Sequence, residues 1–267
     1  MTSKDSKTLS QERFSRFAGG YVTSEVHAKG EELDRLVAIA APRPDCIALD
    51  VATGGGHTAL KFAPLVDHMI AVDISFNMLV AARDHIHGQA AKNIHFGQAD
   101  AEDLPFDDES FDLVTCRIAP HHFPSCARFV KECSRVLKPR GLLLVQDHVL
   151  PDDASTGRYV DGFEKLRDPS HNHAFSDSQW VGMFEDAGLA VEHKEHIIKR
   201  HQFLRWAELQ GCSTETIESL IRMVQEAPDR AVQWMQPRDF PNPQASFINH
   251  HIILSGRKKS PSQGSNP

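Results

Sequence analysis

The sequence lacks several features that would place it outside the ordinary globular proteins. No apolar run approaches the roughly 20 residues that a membrane-spanning helix needs, and the polar segment Met1 to Phe17 does not resemble a secretion signal. Five cysteines without a CxxC pair argue against a disulfide framework, because an odd number leaves one unpaired. We therefore expect a cytoplasmic protein that has reduced thiols and does not insert into a membrane.

Positive charge is also scarce. The chain has 29 Lys and Arg residues against 36 Asp and Glu residues, which gives a formal net charge of -7. Binding to a phosphate backbone depends on clustered basic side chains. The charge balance therefore argues against a nucleic-acid partner and favours a small-molecule substrate. The oligomeric state stays open, with a homodimer as one option.

The length and composition indicate one large domain. The chain has 267 residues, of which 40% are hydrophobic, enough for a well-buried core. We predict a flexible N-terminal segment over residues 1–20, a single domain over 21–257 and a disordered tail over 258–267. Insertions at about 151–176 and 199–245 are predicted to cover a substrate.

Short apolar runs alternate with amphipathic segments in the central part of the chain. This alternation is typical of a parallel sheet wrapped by crossover helices. The candidate strands are Cys46 to Val51, His68 to Asp73, Ile94 to Gln98, Phe111 to Ile118 and Leu142 to His148. Ser75 fits the N-cap of one helix, and Pro124 opens another that extends to Lys138. The predicted fold class is therefore α/β, with helices on both faces of a doubly wound sheet.

The pattern changes after Leu150. The polar stretch Pro151 to Ser176 precedes a predicted helix, Asp177 to Ala187. Two later runs have the pattern of strands and are separated by a helical segment: Val191 to Ile198, Phe247 to Leu254 and, between them, Phe203 to about Met235. We expect the two late strands to close the sheet.

A glycine loop follows the first predicted strand. Residues 48–59 read ALDVATGGGHTA, an apolar strand that enters three glycines and then a helix. Glycines let the backbone turn sharply and approach a ligand, and the free N–H groups of the new helix face an anionic group. Gly54, Gly56 and Ala59 also satisfy the dinucleotide-binding pattern GxGxxA. The loop alone therefore leaves the kind of ligand open, and a purely structural turn is the alternative.

Acidic residues stand near the ends of three predicted strands. Asp50 lies in the first strand, Asp73 ends the second, and Asp100 follows the third. The Asp73 carboxylate can accept both hydroxyl hydrogens of a ribose, and Asp100 can accept an exocyclic amine. Any one of these acids could simply be solvated. Three of them beside a glycine loop favour a ligand crevice at the carboxyl edge of the sheet.

The order of these motifs resembles a known family. LDVATGGGH, AVDIS, GQADAEDLPF, FDLVTCRIAPHHF and LKPRG occur in this order. They resemble the class I S-adenosylmethionine-dependent methyltransferases, in the branch similar to ubiquinone/menaquinone-biosynthesis C-methyltransferases (methyltransferase type 11). The resemblance covers about Tyr21 to Arg257. It implies a Rossmann-like sheet of seven strands, mostly parallel, whose last strand is antiparallel.

The resemblance also assigns residues to the cofactor. Asp50, Gly54 and Gly56 would contact its methionine part, Asp73 its ribose, Ile74 and Met78 its adenosine, and Asp100 with Ala101 its adenine edge. Ala52 stands where the family has its first glycine, and we expect it to narrow the loop only slightly. Tyr21 and His27 lie in a segment that covers the cofactor in related enzymes, and either could close on the methionine carboxylate or the substrate.

The predicted catalytic residues are His121 and His122. They follow the fourth strand, so they lie at the same sheet edge as the glycine loop, and imidazole titrates near neutral pH. Pocket shaping is the alternative role for either. Arg117, just before them, is predicted to hold an anionic group of the cofactor.

A segment around residues 167–176 resembles a substrate cover in this branch. Its candidate substrate-binding residues are Arg167, His171 and His173. His171 and His173 have the spacing of metal ligands, but no third ligand is evident, so no metal is predicted.

The predicted function is methyl transfer from S-adenosylmethionine to an oxygen or carbon atom of a small acceptor, for which a lipophilic compound is one option. Histidine bases suit hydroxyl or acidic carbon acceptors. One alternative is an NAD-dependent oxidoreductase, although Tyr159 and Phe163 do not form the Tyr-x-x-x-Lys pair of short-chain dehydrogenases. The other alternative is a non-catalytic protein of the same fold that binds S-adenosylmethionine.

Overall fold

A single mixed sheet forms the centre of the computed structural model, which describes residues 6–15, 31–87 and 91–260. The strands are β1 (Ile47–Val51), β2 (His68–Asp73), β3 (Ile94–Gln98), β4 (Phe111–Arg117), β5 (Leu137–Leu150), β6 (Phe175–Ser176), β7 (Leu189–Gln202) and β8 (Ser246–Lys258). The sheet order is β3-β2-β1-β4-β5-β8-β7, and the short β6 pairs with β5. Strands β1 to β5 are parallel, and β8 is antiparallel to both of its neighbours. The predicted fold class is confirmed.

Helices cover both faces of the sheet. Residues 6–15 form α1. The others are α2 (Glu31–Ala40), α3 (His57–Phe62), α4 (Phe76–His87), α5 (Cys126–Val136), α6 (Ala154–Arg167), α7 (Asp177–Asp186), α8 (Phe203–Glu208), α9 (Thr214–Gln225) and α10 (Asp229–Met235). On one face, buried side chains of α5 and α7 such as Phe129 and Phe184 pack on the sheet. On the other face, Leu36 of α2 and Phe62 of α3 do so. No helix among the described residues is long and apolar enough to cross a membrane.

Part of the N-terminal segment is helical. Residues 6–15 form a helix that packs against the carboxyl edge of the sheet. The flexibility of residues 1–20 stays a prediction. The Gln11 side chain donates to the Ile74 carbonyl oxygen at 3.0 Å. No apolar periodicity in the sequence signals a polar contact of this kind. Tyr21 and His27 lie outside the described residues.

The two insertions pack against each other. The stretch predicted as polar, 151–176, contains helix α6, whose Phe163 ring stacks on Trp206 of α8 with centroids 5.1 Å apart. The second insertion contains three short helices in place of one helical segment. Helix α5 begins at Cys126 instead of Pro124, because Ser125 accepts a hydrogen bond from the Arg128 N–H and caps it. That the insertions cover a substrate stays a prediction.

The last strand extends into the predicted tail. Strand β8 continues to Lys258, whose Nζ donates to the Leu137 carbonyl oxygen at 2.7 Å. Residues 261–267 lie outside the described part of the chain. Their predicted disorder stays a prediction.

Candidate functional site

A deep pocket lies at the carboxyl edge of the sheet, and we call it the edge pocket. Helix α1, the loops that follow β1, β2 and β3, and the segment that follows β4 form its walls. Nine predicted cofactor residues line it: Asp50, Ala52, Gly54, Asp73, Ile74, Met78, Asp100, Ala101 and Arg117. His122 lines it as well. The topology of a parallel sheet places its ligand crevice at this edge.

Asp50 fixes the glycine loop from below. Its carboxylate accepts hydrogen bonds from the Thr53 hydroxyl at 2.6 Å and from the Thr115 hydroxyl at 2.8 Å. Burial raises the pKa of Asp50 to about 6, although both hydroxyls and the nearby charge of Arg117 act to lower it. The Asp50 oxygens are therefore used mainly to hold the loop in place.

Three residues of the loop adopt left-handed backbone conformations. Ala52, Gly54 and Gly56 have φ values of 53°, 53° and 79°. Ala52 therefore does more than narrow the loop: it holds a conformation that is unfavourable for a residue with a Cβ atom. Gly56 does not line the edge pocket. A Cβ atom there would lie 2.8 Å from Ile86 Cδ1, so this glycine permits close packing of α4 on the loop.

Asp73 is placed to bind a diol. One carboxylate oxygen accepts the Gly54 N–H at 3.0 Å, and the other accepts the Ser75 N–H at 2.9 Å. Each oxygen keeps one further acceptor position. Burial raises the pKa of Asp73, so hydrogen bonds from a ligand would favour its charged form.

The far end of the edge pocket carries an unexpected cation. Lys7 of α1 places its Nζ 2.5 Å from Asp100 Oδ2 and 2.7 Å from Glu102 Oε2. The hydroxyl of Ser10, also from α1, lines the pocket and is buried, and it has no hydrogen-bond partner among the described residues. A buried polar atom of this kind is satisfied when a polar ligand binds. Sequence reasoning missed Lys7 and Ser10, since α1 has no motif.

Arg117 closes the end beside the glycine loop. Its Nε donates to the Thr58 hydroxyl at 3.2 Å. Burial lowers the pKa of this guanidinium, while the charges of Glu32 and Asp50 act to raise it. A buried cation here suits a carboxylate ligand.

The two predicted catalytic histidines face different surroundings. His122 lines the edge pocket, and its Nδ1–H donates to the Ser170 carbonyl oxygen at 3.0 Å. His121 is not among the pocket-lining residues: its Nδ1 lies 2.6 Å from Asp147 Oδ1, and its backbone N–H donates to Asp147 Oδ2. Burial lowers the pKa of both rings and raises that of Asp147 to about 7. Both rings are therefore neutral imidazoles at neutral pH.

A residue with a strained backbone conformation lies just before the histidine pair and sets the direction of the chain there. Ile118 directly follows β4 and has a φ of 53°, which is rare for a β-branched residue. Its N–H donates to the Gln146 carbonyl oxygen at 2.7 Å, which holds the turn. The chain then enters a 3₁₀ turn over Pro120–His122. Strain of this kind concentrates at functional sites.

The predicted substrate-binding residues Arg167, His171 and His173 do not line the edge pocket. Arg167 stacks its guanidinium 4.3 Å above the Trp206 ring. His171 Nε2 and His173 Nδ1 each lie 2.7 Å from the Asp161 carboxylate. No group of three or more ligating side chains that could hold a metal is found in the described ranges.

Asp147, Asp161 and Asp168 were missed by sequence reasoning, although each contacts a site residue. Asp147 carried the best signal. It stands near the carboxyl end of a predicted strand, as Asp50 and Asp73 do.

Comparisons with known proteins agree with this site. A family model described as a methyltransferase domain matches residues 49–145. YcgJ of Bacillus subtilis, named an uncharacterized methyltransferase, is 36% identical over 218 residues that cover 82% of this chain and 86% of YcgJ. The ubiquinone/menaquinone biosynthesis C-methyltransferase UbiE of Azotobacter vinelandii is 36% identical over 119 residues, 43% of this chain and 47% of UbiE.

A solved structure extends the similarity to the whole fold. The crystal structure of the Bacillus subtilis YcgJ protein aligns with a TM-score of 0.83 at 34% sequence identity. The alignment covers 86% of this chain and 99% of that chain.

Proposed function

This chain belongs to the class I S-adenosylmethionine-dependent methyltransferases, and we propose that it transfers the methyl group to an oxygen or carbon atom of a small acceptor. S-adenosylmethionine is its cofactor. It supplies an electrophilic methyl group on a sulfonium. The chain's own residues bind the cofactor, orient the acceptor and remove the acceptor's proton.

The residues of the edge pocket suit each part of the cofactor. Asp73 offers one acceptor position on each oxygen to the two ribose hydroxyls. Asp100 and Ala101 line the end proposed for the adenine edge, and Met78 lines the wall for the ring. The Arg117 guanidinium and the loop amides are proposed to hold the methionine carboxylate. The unpartnered Ser10 hydroxyl supports a polar ligand in this pocket.

One observation carries the proposed acceptor chemistry: a neutral imidazole lines the pocket with one nitrogen already fixed. Because the Ser170 carbonyl can only accept, His122 must carry its proton on Nδ1. Its Nε2 then keeps a free electron pair, and no partner for Nε2 occurs among the described residues. A base is needed when the attacking atom must lose a proton, as hydroxyl and acidic carbon groups do.

His122 is therefore the proposed base, and His121 is proposed to support it. Nε2 of His122 would take the proton from the acceptor oxygen or carbon. Bound S-adenosylmethionine would supply the methyl group to that atom and leave as S-adenosylhomocysteine. The resulting imidazolium lies beside the His121 ring, with centroids 4.1 Å apart, and that ring is held by Asp147. A neutral neighbour limits the electrostatic cost of the new charge.

Formation of S-adenosylhomocysteine from S-adenosylmethionine, measured with a panel of phenols, hydroquinones, β-diketones and amines, tests this proposal. We expect turnover with hydroxyl or acidic carbon acceptors. His122→Asn is expected to reduce kcat by about 10²–10⁴-fold without loss of cofactor binding. His68→Asn serves as the control, since the His68 side chain is half exposed and outside the pocket. Turnover with amines alone, or full activity of His122→Asn, would contradict the proposal.

A further inference from the structure

Helix α1 connects the two ends of the edge pocket. At one end, Lys7 forms ion pairs with Asp100 and Glu102. At the other end, the ring of Phe14 lies edge-on against His122, with centroids 4.8 Å apart and planes at 83°. A helix in this position covers a bound cofactor along its length.

A contact between Arg13 and Asp168 links α1 to the loop at residues 168–171, which holds His122. Arg13 Nε lies 3.0 Å from Asp168 Oδ1. The same guanidinium donates through Nη2 to the main-chain and side-chain oxygens of Gln210, at 2.7 and 3.0 Å. Arg13 therefore joins α1 to both insertions. Its side chain is 18% exposed and that of Asp168 is 6% exposed, so solvent screens this pair only weakly.

Asp168 connects Arg13 to the His122 ring through Ser170. Asp168 Oδ1 accepts the Ser170 N–H at 2.9 Å and the Ser170 hydroxyl at 2.6 Å. The carbonyl oxygen of Ser170 then accepts the Nδ1–H of His122. Three consecutive contacts thus run from α1 to the nitrogen that sets the tautomer of His122.

We infer that Arg13 and Asp168 are positioning residues through which α1, when it lies over the edge pocket, fixes the tautomer and orientation of His122. The inference rests on the proposed role of His122 as base. In this arrangement His122 removes the proton of the acceptor efficiently only when α1 encloses the cofactor. The base is then held in a productive state only when water is excluded from the sulfonium.

The charges around Asp168 favour this arrangement. Burial acts to raise the pKa of Asp168, but the hydrogen bonds from Ser170 and the Arg13 guanidinium act against burial, and the pKa is lowered. Removal of Arg13 leaves a buried carboxylate without its cation. Such a group draws in water or reorients. Either change weakens its hold on Ser170 and hence on His122.

Nuclear magnetic resonance of the histidine rings in the complex with S-adenosylhomocysteine tests the inference directly. Nitrogen shifts distinguish the Nδ1–H tautomer from the Nε2–H tautomer that predominates in free histidine. We expect His122 to be a single Nδ1–H species in the unaltered protein. In Arg13→Gln and in Asp168→Asn we expect a mixture of tautomers, and in Arg13→Lys a partial return to the single species.

Kinetics separate positioning from general loss of structure. Arg13→Gln is expected to reduce kcat by about 10²-fold with little change in KM for S-adenosylmethionine. Lys7→Gln is the matched variant, on the same helix but at the adenine end, and is expected to change KM while the tautomer of His122 stays single. Thermal unfolding of each variant checks that it folds.

The two possible failures can be told apart. A single Nδ1–H species in both Arg13→Gln and Asp168→Asn, together with unchanged kcat, would overturn the coupling. If His122→Asn keeps full activity while Arg13→Gln still mixes the tautomers, the proposed base is wrong and the structural coupling stands.

Discussion

Single residues in this chain combine functional placement with a cost in stability. Ile118 adopts a left-handed conformation where β4 meets the histidine pair. Asp50 and Asp147 are buried carboxyl groups whose pKa values are raised to about 6 and about 7. Each of these features is unfavourable alone and is held by its neighbours.

The buried histidines behind the edge pocket predict an acid-labile fold. The rings of His121, His148 and His251 form a row with centroid separations of 4.7 and 4.5 Å. Burial lowers the pKa of all three well below the usual value. The unfolded chain takes up these protons below about pH 6.5, whereas the folded chain does not. Stability is therefore present above pH 6.5 and is lost as the pH falls.

His251→Phe isolates one member of this row. Nδ1 of His251 is buried and has no hydrogen-bond partner in the described part of the chain, so an apolar ring of similar size is tolerated. The free energy of unfolding, measured by urea titration from pH 7 to pH 5, should depend on pH less steeply in the variant. Below pH 6 the slope is expected to fall by about 1.4 kcal/mol per pH unit, the value for one proton.

The neighbouring variant Ile252→Val is the control, because it alters a fully buried residue that does not titrate. It should lower the free energy of unfolding by about 0.5–1.5 kcal/mol at every pH without changing the slope. An unaltered slope for His251→Phe would mean that this ring is protonated in the folded protein.

Among the elements, those with a regular apolar pattern were predicted best from sequence. Strands β2 and β3 occur with the predicted bounds, because each is a short run of strand-forming residues bounded by turns. Helix α6 was missed. Its buried side includes Gly157 and Glu164, which interrupt the apolar periodicity of a helix. Glu164 is buried because it accepts a hydrogen bond from Asn249. No local pattern predicts a polar partner 85 positions away.

The packing of α7 on the sheet depends on one glycine of β8. A Cβ atom at Gly256 would lie 2.6 Å from Phe184 Cδ1 and 3.2 Å from Leu189 Cβ. Phe184 is fully buried. We expect Gly256→Ala to lower the free energy of unfolding by about 1–3 kcal/mol, measured by chemical denaturation.

Two further variants test the cause of that loss. Adding Phe184→Leu should recover part of it, because the smaller side chain vacates the contact. Gly182→Ala, in the same helix, meets nothing within 4 Å and is expected to raise stability by about 0.5–1 kcal/mol. Equal losses from both glycine substitutions would point to the backbone instead of the contact.

At the scale of the whole molecule, the site divides into a half that sequence predicts and a half that it does not. The cofactor residues follow strand ends, so their order in the chain gives their positions along the edge. The supports of the histidines come from α1, α6 and the loop at residues 168–171, which the fold alone brings together. Sequence spacing carries no information about such contacts.

Ligand binding to this edge must stabilise the whole molecule, since only the folded chain has the pocket. At a free concentration of S-adenosylhomocysteine of 100 times Kd, the free energy of unfolding should rise by about 2.7 kcal/mol. Asp73→Asn removes a charged acceptor from both ribose hydroxyls. A loss of about 1.5–3 kcal/mol in binding is expected, so the gain at the same concentration should fall to about 0.3–1.3 kcal/mol.

Because Asp73 also accepts two backbone N–H groups, its variant loses stability without any ligand. The measurement must therefore compare the ligand-dependent gain in the free energy of unfolding between the variant and the unaltered protein. This gain is obtained from denaturant unfolding with and without S-adenosylhomocysteine. Asp112→Asn is the matched control: Asp112 accepts the Ile47 N–H at 3.0 Å at the opposite end of β1. Asp112→Asn should lower the free energy of unfolding and keep the full ligand-dependent gain. A full gain in Asp73→Asn would show that the ribose is held elsewhere.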